Sequence, residues 1–176
     1  FPPDNPKRLH SLRRDSVAFI RKYAGKQPFF LMVSHYAPHI PHMATKEAFE
    51  RTKKRWIAEG RDTDKIDSPK SSAHRAITHA AMIEEMDLTV GDVLDALQEK
   101  GELEDTYLIF TSDNGGGASE KRKVNGENRR FNGPLQEGKR SIFEGGIRVP
   151  TVIAGPDIES GSQCDVPIVQ WDFLPT

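Results

Sequence analysis

Apolar positions recur with the period of a helix through much of the N-terminal half of the chain, and that rhythm is broken by a short continuous apolar run. Leu9, Leu12, Phe19, Ile20 and Tyr23 step at helical spacing. Gly25 follows where a residue of left-handed conformation closes a helix. Residues 29–34 are almost all apolar and stand behind Pro28, the pattern of a central strand covered on both faces. Tyr36-Ala37-Pro38-His39-Ile40-Pro41-His42 carries two prolines, which remove backbone donors and turn the preceding residues away from helix, so a stiff loop is expected. Residues 46–59 read as a surface helix closed by Gly60, and 61–72 as a polar connection. A longer helix is expected over about residues 73–100, where Ile83, Met86, Val90, Val93, Leu94 and Leu97 step by three and four and Gly101 is the stop.

The period changes after Gly101. The β-prone run 106–111 ends at Ser112-Asp113-Asn114-Gly115-Gly116-Gly117, and a third apolar run, 149–154, lies beyond Gly145 and Gly146. Strand, helix and strand alternate, so the pattern fits an α/β layer with a largely parallel central sheet flanked by helices. No internal repeat or low-complexity tract interrupts it.

Composition narrows the functional classes. Of 176 residues, 25 are Lys or Arg and 26 are Asp or Glu, a net charge of −1. Nothing global favours nucleic acid or an acidic membrane. The longest aliphatic or aromatic run, 29–33, falls far short of the ~20 apolar residues of a membrane-spanning helix. The single Cys164 excludes an internal disulfide and a Cys-based zinc cluster. Residue 1 is Phe rather than Met, and Asp172-Phe173-Leu174-Pro175-Thr176 stops where a helix would open. The chain reads as an internal piece of a longer protein.

Ligands of open α/β sheets bind beyond the carboxyl ends of the strands. Two loops qualify, one with His35, His39 and His42, the other with Asp113 and Asn114; adjacent strands would bring them together. Asp113 and Asn114 offer the hard oxygens that Ca²⁺ or Mg²⁺ prefers, although Asp-Asn-Gly taken alone is first of all a turn. His39, held between prolines, has the chemistry to donate to an anionic oxygen or protonate a leaving group, and an idle surface histidine is the alternative. The spacing of the three histidines matches no helical or hairpin ligand pair for zinc. Residues 133–139 and 144–150 form a glycine-punctuated segment in which Lys139 and Arg148 are cations suited to an anionic group. No Walker A phosphate loop is present. Residues 119–130 hold five cations against two carboxylates, a local net of +3. Such a run is ordinarily a solvated loop, and at the rim of a site it would recruit a polyanion.

Taken in order, these segments resemble the sulfatases of the alkaline phosphatase superfamily. The resemblance runs from Leu9 to Thr176 through Pro28-Phe29-Phe30-Leu31, Ala37-Pro38-His39-Ile40-Pro41, Ala81-Met82-Ile83-Glu84, Phe110-Thr111-Ser112-Asp113-Asn114-Gly115, Gly138-Lys139 and Phe143-Glu144-Gly145-Gly146-Ile147-Arg148-Val149-Pro150. It implies an alkaline-phosphatase-like sandwich and the central part of a sulfatase catalytic domain over residues 1–176, truncated at both ends. It also implies hydrolysis of sulfate esters, on a sulfated small molecule or glycan. Asp113 and Asn114 match two ligands of the family's calcium ion, with Mg²⁺ the second choice. His39 and Lys139 match residues that contact the sulfate and help the leaving oxygen depart, and Arg148 and Glu144 match positions that read as structural. A secreted, periplasmic or lysosomal-type location comes with the resemblance alone.

The sequence also departs from the family. Sulfatases use a formylglycine made from Cys or Ser in C/S-x-P-S-R, and that sequence is absent: Cys164-Asp165-Val166-Pro167 has neither the spacing nor the arginine. The paired N-terminal aspartates and the Gly-Lys-Trp-His segment are absent too. The formylglycine is therefore expected outside this chain, which alone is expected to be inactive. Two other readings stand beside this one: a phosphate or phosphonate monoester hydrolase of the same superfamily, and a non-catalytic sulfatase-like protein that engages glycans through its basic run.

Overall fold

The structure is a computed structural model of the chain. It describes residues 1–117, 121–124, 127–130 and 132–173, with the backbone alone for 121–124 and 127–130. The chain divides into two compact units, Phe1–Leu103 and Glu104–Thr176.

The first unit is helical. A 3₁₀ turn, Pro6–Arg8, leads into α1 (Leu9–Tyr23), followed by α2 (Lys46–Ala58) and α3 (Ser72–Glu99). The starts of these helices are capped by side chains. Asn5 Oδ1 accepts the N–H groups of His10 and Ser11 at 3.1 and 3.3 Å. Thr45 Oγ1 accepts from Ala48 N–H at 3.1 Å and Ser71 Oγ from His74 N–H at 3.0 Å, each satisfying a donor that the helix leaves free. After α1 the chain turns at Gly25, whose φ of +72° a residue with a Cβ adopts only under strain. α3 packs against both α1 and α2. Ile77 and Met82 are fully buried, and Leu9, Ile20 and Leu97 are 1% exposed; each such side chain contributes about 1.5–3 kcal/mol. Charged groups reinforce the seams. Arg13 donates to Asp92 (2.8 Å) and Arg21 to Glu99 (3.0 Å) between α1 and α3, while Arg51 and Arg55 of α2 reach Glu84 of α3 at 2.7 and 3.2 Å.

The expected central strand at 29–34 does not form. Its side chains alternate between half-buried and exposed, as extended backbone requires, and Phe30 and Met32 are 79% and 74% exposed. Among the described residues the segment has no strand partner. The reason is physical: the unit around it is built of helices, and a strand exists only through hydrogen bonds to a neighbour.

The second unit contains β1 (Leu108–Thr111), β2 (Lys121–Val124), β3 (Glu127–Arg130), the single helical turn α4 (Glu144–Ile147), β4 (Thr151–Ala154) and a 3₁₀ turn, Gln170–Phe173. β1 pairs with β4 in antiparallel register, Leu108 opposite Ala154 and Thr111 opposite Thr151. The expected parallel sheet is therefore not what the described residues form. A parallel pair needs a crossover, ordinarily a helix, and the chain between these strands holds a hairpin and one helical turn. The basic run is also corrected. β2 and β3 form an antiparallel hairpin with Lys121 opposite Arg130 and Arg122 opposite Arg129, where a solvated loop was expected. Asn125-Gly126 in the sequence between them is a strong hairpin signal, and the density of charge obscured it.

Candidate functional site

In the helical unit, the proline loop is anchored by small and apolar groups. Ala37 is buried with Leu9 and Met82, and Ala44 packs on the same cluster; the Met43 N–H donates to Met82 Sδ at 3.3 Å. This anchoring presents His39 at an exposed position, with its N–H bonded to Tyr36 O at 3.0 Å. His39 Nδ1 lies 2.7 Å from Ile40 O. A carbonyl only accepts, so Nδ1 carries the proton and Nε2 is left as the working nitrogen, an acceptor when neutral and a donor when charged. His42 packs at a tilt against His79 of α3, with ring centroids 5.0 Å apart. Both ring nitrogens of His35 are buried without a partner among the described residues, and burial pushes its pKa below the usual histidine value.

In the second unit, the loop after β1 is woven into the glycine segment by peptide groups. Gly115 N–H donates to Gly146 O (2.9 Å), Gly145 N–H to Gln136 O (2.8 Å) and Lys139 N–H to Gly116 O (2.8 Å). These strands of chain lie so close that side chains are excluded: a Cβ on Gly115 would stand 1.9 Å from Gly145 O. Asn132 completes the weave with its carboxamide. Oδ1 accepts Gly116 N–H at 2.9 Å, and Nδ2 donates to Gly116 O at 2.9 Å and Glu137 O at 3.0 Å.

This framework holds Asp113, Asn114 and Lys139. The Asp113 carboxylate is exposed and meets no hydrogen-bonding or charged partner among the described residues. Asn114 Nδ2 is engaged with Gly115 O at 2.9 Å, and Oδ1 has no partner among the described residues. Two hard oxygens on successive residues suit a divalent cation such as Ca²⁺, which takes six to eight. Among the described residues no group of three or more His, Cys, Asp or Glu comes together. Lys139 is half-buried, and its ammonium has no partner among the described residues. Arg148 pairs with Glu144 at 3.3 Å across one helical turn. His39 belongs to the helical unit and the other three candidates to the second unit.

Sequence reasoning missed two polar residues with structural consequence. Asn132 carried no signal beyond standing before Gly133-Pro134, an ordinary turn setting. Glu85 is 7% exposed; Thr45 Oγ1 donates to it at 2.9 Å, with His10 at 3.6 Å and Arg51 at 3.9 Å. Its spacing on α3 marked it as nothing more than a helical glutamate. Among the described residues no helix is long and apolar enough to cross a membrane.

Comparison with known proteins shows the family. The chain is 31% identical over 179 residues to human arylsulfatase H, covering 99% of the chain and 27% of that protein. It is 39% identical over 95 residues to human steryl-sulfatase, covering 53% and 16% respectively. The solved structure of Ps i-CgsB in complex with k-i-k-neocarrahexaose superposes with a TM-score of 0.62 at 32% identity, over 85% of this chain and 28% of that one. The chain thus spans under a third of the length of these relatives. The sulfatase family model matches residues 9–176, and the chain belongs to the sulfatase family.

Proposed function

We propose that this chain is the central part of a catalytic domain that hydrolyses sulfate esters, on a sulfated small molecule or glycan. The observation that carries this reading is membership of the sulfatase family together with the backbone weave that joins Lys139 to the Asp113–Asn114 loop through Gly116. In this reading Asp113 and Asn114 are two ligands of a calcium ion, which when bound supplies positive charge opposite the sulfate oxygens. Lys139 offers a second cation to the same oxygens from a backbone held at its own N–H. His39 carries the proton for the leaving oxygen at Nε2, and the Ile40 carbonyl opposite Nδ1 stabilises the charged ring. The formylglycine nucleophile belongs to sequence outside this chain.

The test is hydrolysis of 4-nitrophenyl sulfate, against 4-nitrophenyl phosphate, by the longer protein that contains this chain. Sulfate-ester turnover that falls when calcium is chelated supports the reading, and Asp113→Ala should then weaken calcium binding roughly 10-fold or more by calorimetry. Turnover of the phosphate alone would move the assignment to the phosphatase branch of the superfamily. Binding of a sulfated glycan without any turnover would make the protein a non-catalytic relative.

A further inference from the structure

We propose that Asn132 is the positioning residue that sets Lys139 against the Asp113–Asn114 loop. Its carboxamide spends three hydrogen bonds on this tie: it accepts Gly116 N–H at 2.9 Å and donates to Gly116 O at 2.9 Å and Glu137 O at 3.0 Å. Gly116 lies two residues beyond Asn114, and Glu137 two residues before Lys139. The same Gly116 carbonyl accepts the N–H of Lys139 at 2.8 Å. Gly116 is exposed and has no side chain with which to anchor itself. Its peptide is therefore held by hydrogen bonds, and Asn132 is the side chain that makes them.

An amide is suited to this task where other groups are not. It accepts and donates twice within one plane, whereas a carboxylate only accepts and would face two carbonyl oxygens at close range. A methyl group would leave the Gly116 N–H and the Glu137 carbonyl without their partner. Loss of the tie frees the oxygen donors of residues 113 and 114 to move relative to Lys139, and a displacement near 1 Å at a reacting centre costs up to about 10² in rate. The catalytic consequence rests on the roles proposed above for Lys139 and Asp113; the tie itself does not.

The experiment compares Asn132→Ala and Asn132→Asp in the longer protein, with Ile77→Val of the helical core as a control for general loss of stability. Amide hydrogen exchange at Gly116 and Lys139 is read beside kcat and KM for 4-nitrophenyl sulfate. Exchange at Lys139 should rise at least about 10-fold in both Asn132 variants, and at Gly116 in the alanine variant. In both, kcat should fall roughly 10- to 100-fold, while Ile77→Val leaves kcat and both amides unchanged. Should Asn132→Ala fail to fold, Asn132→Asp, which keeps the acceptor for Gly116 N–H, carries the comparison. Retained protection at Lys139 in the folded variants overturns the proposal, as does a fall in kcat that Ile77→Val reproduces. If the wild-type protein hydrolyses no sulfate ester, the proposed function falls; lost protection in the variants would still establish the tie.

Discussion

Residues 1–103 are held together by side chains, and residues 104–176 by peptide groups. In the first unit Met82 and Ile77 are fully enclosed, Thr45 and Ser71 cap helices, and Arg13, Arg21, Arg51 and Arg55 pair across the helix seams. In the second, β4 is exposed along its whole length and the buried positions include Gly138, Gly145 and Gly146. Its tight packing is of backbone on backbone, joined by the bonds of Gly115, Gly145 and Lys139. The difference shows what each region is for in physical terms. Side-chain packing tolerates a lost methylene at a graded cost, because neighbours relax. A glycine weave has nothing to relax with, and in return it fixes the backbone of Lys139 and the loop of Asn114 to within the tolerance of a hydrogen bond.

The sharpest way to break this comparison is to make the same substitution in both units. A Cβ at Gly145 would lie 2.2 Å from Glu137 O and 2.4 Å from Gln136 O, so Gly145→Ala is expected to destabilise by about 3 kcal/mol, the upper range for overpacking. At Gly91 of α3 a Cβ would meet nothing within 4 Å, so Gly91→Ala should stabilise by about 0.5–1 kcal/mol through helix propensity. Urea unfolding of the two variants measures both. Equal signs would show that the second unit is no more tightly woven than a helix surface.

Turnover gives the next largest effect. If His39 and Lys139 act as proposed, replacing either by alanine lowers kcat of the full-length enzyme roughly 10²-fold, or about 2.7 kcal/mol. The accompanying stability changes should be small for both: His39 is exposed, and the backbone bond of Lys139 to Gly116 survives the change. Wild-type rates on an aryl sulfate after either substitution would return both residues to the surface.

How much of this was legible beforehand follows the same division. The helices α1, α2 and α3 and their stops at Gly25, Gly60 and Gly101, all with positive φ, were readable because periodicity and capping are local. The partner of β1 was not, since strand pairing joins residues some 40 positions apart and an apolar run carries no mark of its neighbour or direction. For the same reason residues 29–34 read as a strand although their own unit offers them none to pair with. Asp113, Asn114 and Lys139 were singled out by the chemistry of their side chains and by family resemblance, and, Asn132 apart, the hydrogen bonds that join their segments run through backbone groups that every residue possesses. Asn132 and Glu85 were invisible because their importance lies in what surrounds them.

Thr45 sharpens the comparison from the helical side. Its hydroxyl caps α2 through Ala48 N–H and donates to the buried Glu85, so Thr45→Val removes a cap and leaves a buried carboxylate oxygen without its donor. The expected cost is about 2 kcal/mol, with Thr45→Ser restoring most of it. Thermal unfolding of the pair decides the matter; a valine variant as stable as the serine one would show that Glu85 is satisfied by other groups.

Acid gives the smallest effect and the cleanest spatial contrast. Arg13 holds Asp92 below the ordinary carboxylate value of 3.8 through its hydrogen bonds. Burial pushes Glu84 upward, but hydrogen bonds from Arg51 and Thr52 and the charges of Arg51 and Arg55 outweigh it and leave Glu84 below its ordinary 4.5. For carboxylates depressed in this way the stabilisation is fully present above the unfolded-state values and is lost as pH falls through the lower folded-state values. The arginine partners are half exposed, so the loss at each seam should stay below about 1 kcal/mol. The bonds that join Gly115, Gly145 and Lys139 to their partners are between peptide groups and do not titrate. Hydrogen exchange, corrected for its intrinsic pH dependence, should therefore show α2 and α3 losing protection as the pH falls below the ordinary values of Glu84 (4.5) and Asp92 (3.8), while the amides of Gly115, Gly145 and Lys139 keep theirs. Uniform loss across both units would mean that acid acts on the chain as a whole, and that the seams of the helical unit are not its acid-sensitive element.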